Sequence, residues 1–212
     1  MGILAGSILI LLSYLTASDI TPSRYMLFAL LIFPVITIPI LLYHPVIFFK
    51  SWSITITGLL YISIPLALIP YIAFKDGNYQ YEILISVFIL IWLYDSFAYI
   101  FGTLIGKNRI YPALSPKKSW EGAFGGLIFA MAGAYFLNKY FKVLSLQQWI
   151  LLAMIVVIAA TLGDFIESAL KRNANVKDSG KFLPGHGGVL DRFDSFLFSI
   201  PFVFVYLYIV KI

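Results

Sequence analysis

The sequence contains no cysteine and only two histidines among its 212 residues. The missing cysteines exclude disulfides, thiolate metal sites and a cysteine nucleophile, and with so few histidines we do not expect a zinc site. Charged side chains are also scarce, at 12% of the chain, whereas 61% of it is hydrophobic. No polar stretch is long enough to form a separate soluble domain. We therefore expect one domain, residues 1–212, embedded in a membrane.

Long apolar segments recur along the whole chain. A helix needs about 20 apolar residues to cross a bilayer, so the sequence predicts an all-α polytopic membrane protein with about seven transmembrane helices. The first segment has neither a basic leader nor a small-residue cleavage pattern, and we interpret it as a retained span. The predicted spans are residues 3–17, 24–43, 54–74, 82–101, 120–137, 146–170 and 193–210.

Basic residues divide unevenly between the two membrane faces that seven spans define. Ten of the fifteen lysines and arginines fall on one face and five on the other. The positive-inside rule makes the richer face cytoplasmic, with two polar cytoplasmic loops at residues 106–122 and 168–195. Because positive charge in a membrane protein mostly sets topology, the net charge of +5 does not indicate a nucleic-acid partner.

Two carboxylates interrupt apolar segments. Asp95 lies seven residues before Gly102, and Asp164 lies seven residues before Lys171. At 1.5 Å per residue, both lie roughly 10 Å above the cytoplasmic ends of their helices. A charge within a span costs about 2.5–3.5 kcal/mol and usually faces protein or a water-filled cavity. Taken alone, Asp164 fits a helix-packing residue paired with a nearby base as well as it fits a functional group.

Further carboxylates come in pairs near the same face. Glu167 is three residues after Asp164 and shares its helix face, and Asp191 and Asp194 are three apart at the mouth of the last span. Two acidic pairs beside a basic loop suit a hard cation such as Mg²⁺, which takes one or two carboxylates and leaves positions for water and phosphate oxygens.

A glycine cluster lies in the segment "KFLPGHGGVLDR". Glycine lets backbone amides approach a phosphate, although the same cluster also fits a tight turn. His186 has three interpretations of equal weight: it donates to phosphate, it transfers a proton, or it holds the loop in place. The other polar loop, "GKNRIYPALSPKKSWEG", combines Lys117 and Lys118 with Ser115, Ser119 and Glu121. It is a basic membrane anchor and a candidate phosphate site.

The segment from Ser168 to Asp194 resembles the signature of the phosphatidate cytidylyltransferase (CDP-diacylglycerol synthase) family. That pattern runs S-x-L-K-R, four residues, K-D-x-G, a proline-containing turn, H-G-G and D-R-x-D, and every element is present. The segments "DSFAYIFGTLIGKNRI" and "LSPKKSWEGAFGG" also look like the family. The resemblance covers about residues 90–200, the expected catalytic part, whereas residues 1–80 supply N-terminal spans and match only in being hydrophobic.

The resemblance implies the reaction CTP + phosphatidate → CDP-diacylglycerol + pyrophosphate. It also implies Mg²⁺ dependence, an associated monovalent cation, K⁺, and a homodimer. In the family, the metal ligands correspond to Asp164 and Asp191 here. Glu167 and Asp95 are further candidates by their places in this sequence. We expect the chain in a bacterial inner (plasma) membrane, with its site facing the cytoplasm.

The residues take two sets of expected roles under this interpretation. The basic members neutralise the triphosphate and the lipid phosphate, and Asp178 and Asp194 orient basic residues and water. The expected catalytic set is Asp164, Asp191, Lys171, Arg172, Lys177 and Arg192. The expected substrate-binding set is Ser115, Lys117, Lys118, Ser119, Glu121, Asp178, His186, Gly187, Gly188 and Asp194.

Two other functions fit part of the pattern. A CTP-dependent polyprenol kinase would use similar residues but would transfer the γ-phosphoryl group and release CDP. A cation transporter could use Asp95 and Asp164, but it would need acidic residues along its whole path. The outer halves of those two spans have none, which argues against transport.

Overall fold

The computed structural model describes residues 2–43, 45–112, 114–176, 178–180 and 188–211. The chain is mostly helical and divides into two compact units, Met1–Tyr81 and Glu82–Ile212. The second unit contains all the described candidate residues.

The first unit consists of apolar helices with local irregularities. Its elements are α1 (Gly2–Ala17), a 3-10 segment (Ser23–Leu31) that continues into α2 (Ile32–Tyr43), a 3-10 turn (Pro45–Ile47), α3 (Phe48–Gly58), a π-helical turn (Leu59–Ser63), α4 (Ile64–Ala73) and a hairpin of β1 (Phe74–Lys75) and β2 (Asn78–Tyr79). The π-helical turn ends two residues before Pro65. Proline removes a backbone donor and clashes with the preceding turn, so the wider turn accommodates it.

The third apolar helix begins earlier than the sequence predicts. It starts at Phe48 rather than at residue 54, because polar residues in its first turns are compatible with the helix. The Ser53 hydroxyl donates to the Phe49 carbonyl at 2.7 Å, and the Thr55 hydroxyl donates to the Ser51 carbonyl at 2.9 Å. Such bonds to the preceding turn satisfy the hydroxyls inside the helix.

The second unit contains four long helices and one hairpin. The elements are α5 (Glu82–Leu104), β3 (Arg109–Tyr111), β4 (Ser115–Ser119), α6 (Trp120–Tyr140), α7 (Leu146–Asn173) and α8 (Leu190–Ile209). β3 and β4 pair antiparallel, with Arg109 opposite Ser119 and Tyr111 opposite Ser115. This hairpin lies in residues 106–122, which the sequence predicts to be a polar loop. Nothing in the sequence indicated regular structure in that loop.

The predicted fold class is confirmed: the protein is all-α and polytopic. Each predicted apolar segment is helical, and within the described residues six helical runs are long and apolar enough to cross a membrane. α1, at 16 residues, is shorter than these. The predicted start of the last helix, residue 193, is three residues late, because Asp191 lies inside the first turn of α8 rather than before the helix.

Glycines bring α5 and α6 close together. A Cβ atom on Gly122 would lie 2.6 Å from the Ala98 carbonyl oxygen, and one on Gly126 would lie 2.6 Å from the Tyr94 carbonyl oxygen. In lipid, helices associate through such close packing because the solvent is as apolar as their side chains. Gly122 and Gly126, which form a G-x-x-x-G pattern, therefore fix α5 beside the start of α6.

The interior of the second unit is apolar and tightly closed. Its fully buried side chains come mainly from α5, α7 and α8, whereas large apolar side chains on the outer helix faces are exposed, as expected for contact with lipid. The most buried large residues are Val87, Leu90, Trp149, Leu152, Val156, Ile200 and Val203.

Candidate active site

The candidate residues of the second unit meet at one end of its helices. Lys118, in β4 two residues before α6, contacts Asp164 in the second half of α7. Lys171, in the last turn of α7, contacts Asp191 in the first turn of α8. Glu121 accepts hydrogen bonds from the backbone that follows α5. The ends of α5 and α7 and the starts of α6 and α8 therefore surround one polar region.

Asp164 connects the β3–β4 hairpin to α8. Its carboxylate forms an ion pair with the Lys118 ammonium group, and its other oxygen accepts a hydrogen bond of 2.6 Å from the Ser195 hydroxyl. Both Asp164 and Lys118 have side chains that are 27% exposed. The pair is accessible enough to exchange partners with a ligand.

Asp191 accepts hydrogen bonds at the start of α8. Its carboxylate accepts from the backbone amides of Ser179 at 2.9 Å and Gly188 at 2.7 Å, and from the Ser179 hydroxyl at 2.9 Å. The Lys171 ammonium group lies 2.8 Å from its other oxygen. A carboxylate in the first helical turn is also stabilised by the helix dipole. Asp191 therefore binds both described ends of the loop between α7 and α8.

Glu167 is the most deeply buried acid of the region, at 3% exposure. One of its oxygens lies 2.5 Å from the Lys171 ammonium group, which thus bridges Glu167 and Asp191. The other oxygen, Oε1, has no hydrogen-bond partner within the described part of the chain. Buried polar atoms normally have a partner, so this oxygen is suited to a further donor or cation.

Asp95 and Asp194 occupy different environments. Asp194 is buried and accepts a hydrogen bond of 2.7 Å from the Ser195 amide. Asp95 is exposed and lines a polar crevice of about 170 Å³ together with Lys117, Lys118 and Ser119. Because Lys118 also pairs with Asp164, the two intramembrane acids from different spans lie near the same ammonium group.

Several predicted substrate-binding residues hold the hairpin together. The Ser119 hydroxyl caps α6 by accepting from the Gly122 amide at 3.2 Å. The Glu121 carboxylate accepts from the amides of Lys107 and Asn108, and from the Asn108 side chain at 2.7 Å. Arg109 donates to the Lys117 carbonyl at 2.9 Å. Ser119 and Glu121 thus have structural contacts, and a part for them in substrate binding stays a prediction.

The remaining candidates lie around the α7–α8 loop. Arg172, Asp178 and Arg192 are exposed, as is Lys117 on the hairpin, and Ser115 is half-buried. Gly188 approaches the loop backbone closely, since a Cβ atom there would lie 2.7 Å from the Gly180 amide nitrogen. From the sequence, this glycine could approach a phosphate or form a tight turn. In the structure it approaches the backbone of the protein's own loop. Lys177, His186 and Gly187 lie outside the described residues.

Sequence reasoning missed two hydroxyl residues. Ser195 donates to Asp164, and Ser179 donates to Asp191. The position of Ser195 holds a usable signal, because it lies four residues after Asp191 and thus on the same helix face. Ser179 has no such signal, since its contact depends on the path of an irregular loop.

The donor chemistry of this region fits Mg²⁺. The carboxylate oxygens of Asp164, Asp191 and Glu167 are hard ligands, and Glu167 has the unpartnered oxygen. Lys118 and Lys171 supply positive charge at the two aspartates. Among the described residues no three acidic or histidine side chains already form a metal cluster.

Comparison with known proteins agrees with this chemistry. The sequence model of the cytidylyltransferase family matches residues 2–210. The chain belongs to this family. The match extends beyond residues 90–200, where the motifs predicted the resemblance, and includes the N-terminal spans.

Similar proteins include phosphatidate cytidylyltransferases of staphylococci. Those of Staphylococcus epidermidis and Staphylococcus haemolyticus are 44% and 45% identical over 120 residues. That of Staphylococcus aureus strain N315 is 44% identical over 124 residues. Each alignment covers 56% of this chain and 46% of the relative. The chain thus spans about half the length of the curated relatives it matches.

Proposed function

We propose that this chain is a CTP:phosphatidate cytidylyltransferase that forms CDP-diacylglycerol and pyrophosphate. The observation that carries the proposal is the pair of carboxylate–ammonium clusters at one end of the helices, Asp164 with Lys118 and Asp191 with Lys171. The names of the staphylococcal relatives support the same reaction. A bacterial inner membrane and a cytoplasmic orientation of the site are parts of the proposal.

The reaction needs charge control more than a strong base. A phosphate oxygen of phosphatidate, already anionic near neutral pH, attacks the α-phosphorus of CTP. The bond between that phosphorus and the oxygen bridging to the β-phosphate breaks, and pyrophosphate leaves with the electron pair. Two polyanions must be brought together, so catalysis comes from positioning and electrostatic stabilisation.

The basic residues divide between the two substrates in this proposal. Lys118, with Lys117, binds the phosphate of the lipid, because both line a crevice beside the start of a transmembrane helix. Lys171 and the exposed Arg172 and Arg192 bind the triphosphate near the end of α7 and the start of α8. Lys177 belongs to the same group by its place in the sequence.

Asp164 and Asp191 would hold Mg²⁺, with Glu167 and Asp95 as further ligands. The metal would neutralise charge on the phosphate oxygens of CTP. Ser195 orients the Asp164 carboxylate by its 2.6 Å hydrogen bond, and the amides of Ser179 and Gly188 orient Asp191. Lys118 and Lys171 exchange their carboxylate partners for substrate phosphates as these bind. A bound K⁺ and a homodimer complete the proposal through the family resemblance.

The decisive test follows the α-phosphate of CTP. Purified protein is incubated with phosphatidate, Mg²⁺ and CTP labelled at the α-phosphorus, and the products are separated. The proposal expects the label in the lipid as CDP-diacylglycerol, with release of pyrophosphate. Label that ends in CDP would instead indicate γ-phosphoryl transfer and would overturn the proposal. Asp164→Asn is the matched inactive control.

A further inference from the structure

A second, apolar crevice lies beside the polar one. It has a volume of about 330 Å³ and lies along α6 and α7, with Tyr94 of α5 and Ile110 of β3 at its edge. Its walls include Trp120, Phe124, Leu127, Val157, Ile158 and Phe165.

The two crevices adjoin and share part of their walls. Tyr94, Ile110 and Ala123 line both of them, and the polar crevice adds Lys117 and Lys118. A ligand that occupies both must therefore have an anionic group joined directly to an apolar part. A membrane lipid with a phosphate head has this chemistry.

The apolar crevice runs along the helix axes and into the membrane. From Trp120 to Leu127, and from Phe165 to Ile158, each wall extends seven residues, or about 10 Å at the rise of an α-helix. The hydrocarbon core of a bilayer is about 30 Å thick. The crevice is thus long enough to hold only the first part of an acyl chain. Leu127 and Ile158 lie at the end of the crevice that is farther from the polar residues.

A nucleotide base is a poor occupant for this crevice. The two hydroxyls in its walls are already engaged, since Tyr94 and Thr161 hydrogen-bond each other at 2.6 Å and Thr161 also donates to the Val157 carbonyl at 2.8 Å. A base needs donors and acceptors for its polar edge, and leaving these unpaired is costly.

We propose that this crevice binds the first part of one acyl chain of phosphatidate and that Leu127 sets the chain length the enzyme accepts. The inference depends on the proposed function. It adds a specificity site in which the lipid phosphate lies at Lys118 and the acyl chain follows α6 inward. Because a lipid tail is already in apolar surroundings in the bilayer, the crevice gains little from hydrophobic burial. Its effect is to position the phosphate for attack.

A pair of neighbouring substitutions tests the proposal. Leu127→Trp fills the inner end of the crevice, whereas Ile128→Trp adds the same side chain at a position 64% exposed on the outer face. Turnover of dipalmitoyl and dihexanoyl phosphatidate is measured in the same mixed micelles.

We expect Leu127→Trp to lower kcat/KM for the long lipid about tenfold or more, since displacement of reacting groups is costly. The short lipid and the KM for CTP should change little, and Ile128→Trp should leave both lipids unaffected. Equal effects of Leu127→Trp on both lipids, or equal effects of the two variants, would overturn the proposal.

A measurement without turnover separates this inference from the proposed function. Phosphatidate with a diazirine partway along one acyl chain is photolysed in the wild-type protein, and the labelled residues are mapped by mass spectrometry. Label at Leu127 or Val157 supports the crevice even if no CDP-diacylglycerol forms, in which case the proposed function alone fails. Label spread over outward residues such as Ile128, with normal turnover, would overturn the inference alone.

Discussion

At the scale of single residues, the two central aspartates differ in what surrounds them. Asp164 has a partly exposed ion pair with Lys118 and one hydroxyl donor. Asp191 has two backbone amides, one hydroxyl and Lys171 around its carboxylate. Removing the charge of Asp164 should therefore affect mainly catalysis. Removing the charge of Asp191 should affect both catalysis and the structure of the α7–α8 loop.

The first prediction concerns Asp164→Asn and Asp191→Asn. Each variant should insert and fold but lose about 10²-fold or more of turnover, because each removes a charge that would hold the metal. Mg²⁺ should raise the thermal stability of the wild-type protein in detergent, and this gain should be smaller in both variants. Asp76→Asn, in the β1–β2 turn, is the control and should retain both properties. A variant at 164 or 191 with more than about a tenth of wild-type activity would remove that residue from the metal centre.

The second prediction concerns Ser195. Ser195→Ala removes the donor to Asp164 and should lower kcat about tenfold while raising the Mg²⁺ concentration needed for half-maximal rate. A lost hydrogen bond to a charged group costs about 1.5–3 kcal/mol. Ser199→Ala is the matched control, because Ser199 lies one turn later in α8 and donates to the Ser195 carbonyl at 2.7 Å. If both variants had the same Mg²⁺ requirement as the wild type, Ser195 would have no part in orienting Asp164.

The third prediction divides the two loops between the substrates. Arg172→Ala should raise the CTP concentration needed for half-maximal rate, and Lys118→Ala should act mainly through phosphatidate. A lost charge-assisted contact corresponds to roughly 10- to 150-fold. Arg172→Lys should restore only part of the effect, because lysine lacks the bidentate fork. Each substrate is titrated with the other held saturating, and equal effects of both alanine variants on both substrates would contradict the division.

At the scale of elements, hydrophobic length predicts the helices well because each apolar segment must satisfy its backbone internally in lipid. It fails at polar boundaries, as at Phe48 and Leu190, where serines or carboxylates occupy a first turn. The β3–β4 hairpin was not predicted, since the β4 sequence SPKKS has no alternating apolar pattern. Sequence spacing indicated that Asp164 and Glu167 share a face, but the pairing of Asp164 with Lys118 depends on that hairpin and was not predictable.

The fourth prediction concerns the contact between α5 and α6. Gly122→Ala and Gly126→Ala should each destabilise the protein by about 1–3 kcal/mol, because the new methyl group meets a backbone carbonyl that cannot move aside easily. Gly122→Ala should also lower activity, since moving residue 122 away from α5 would displace the Ser119 side chain that accepts from its amide at the end of the hairpin. Stability is measured by thermal unfolding in detergent.

The matched control for this contact is Gly58→Ala. A Cβ atom at Gly58 meets nothing within 4 Å, and alanine favours a helix more than glycine does. This variant should therefore be neutral or slightly stabilising. Equal destabilisation by all three variants would mean that the effect is not due to close packing of α5 and α6.

At the scale of the whole molecule, membrane orientation decides which substrates can reach the site. In the proposed reaction, CTP is a water-soluble polyanion and phosphatidate is a bilayer lipid, so we expect the polar region to open at a membrane surface in contact with nucleotide. Within the second unit, the hairpin and the α7–α8 loop are at the same end, because Lys118 contacts Asp164 and Lys171 contacts Asp191. From the ten-to-five division of basic residues, we expect that end to face the cytoplasm.

The last prediction tests this orientation with single cysteines, which is straightforward because these 212 residues contain none. Pro116→Cys, Val176→Cys and Asn78→Cys place thiols at exposed positions on the hairpin, on the α7–α8 loop and on the β1–β2 turn without removing a charge. In bacterial cells an impermeant maleimide should label position 78, and in inverted membrane vesicles it should label positions 116 and 176.

Labelling of 116 and 176 from opposite sides would contradict the shared end of the second unit. If all three were labelled from one side, the seven-span alternation would be wrong, while the active site at the end of α7 and the start of α8 would still be consistent with the data. If 116 and 176 reacted together but only in intact cells, the site would face away from cytoplasmic CTP, and the proposed reaction would lose its nucleotide supply.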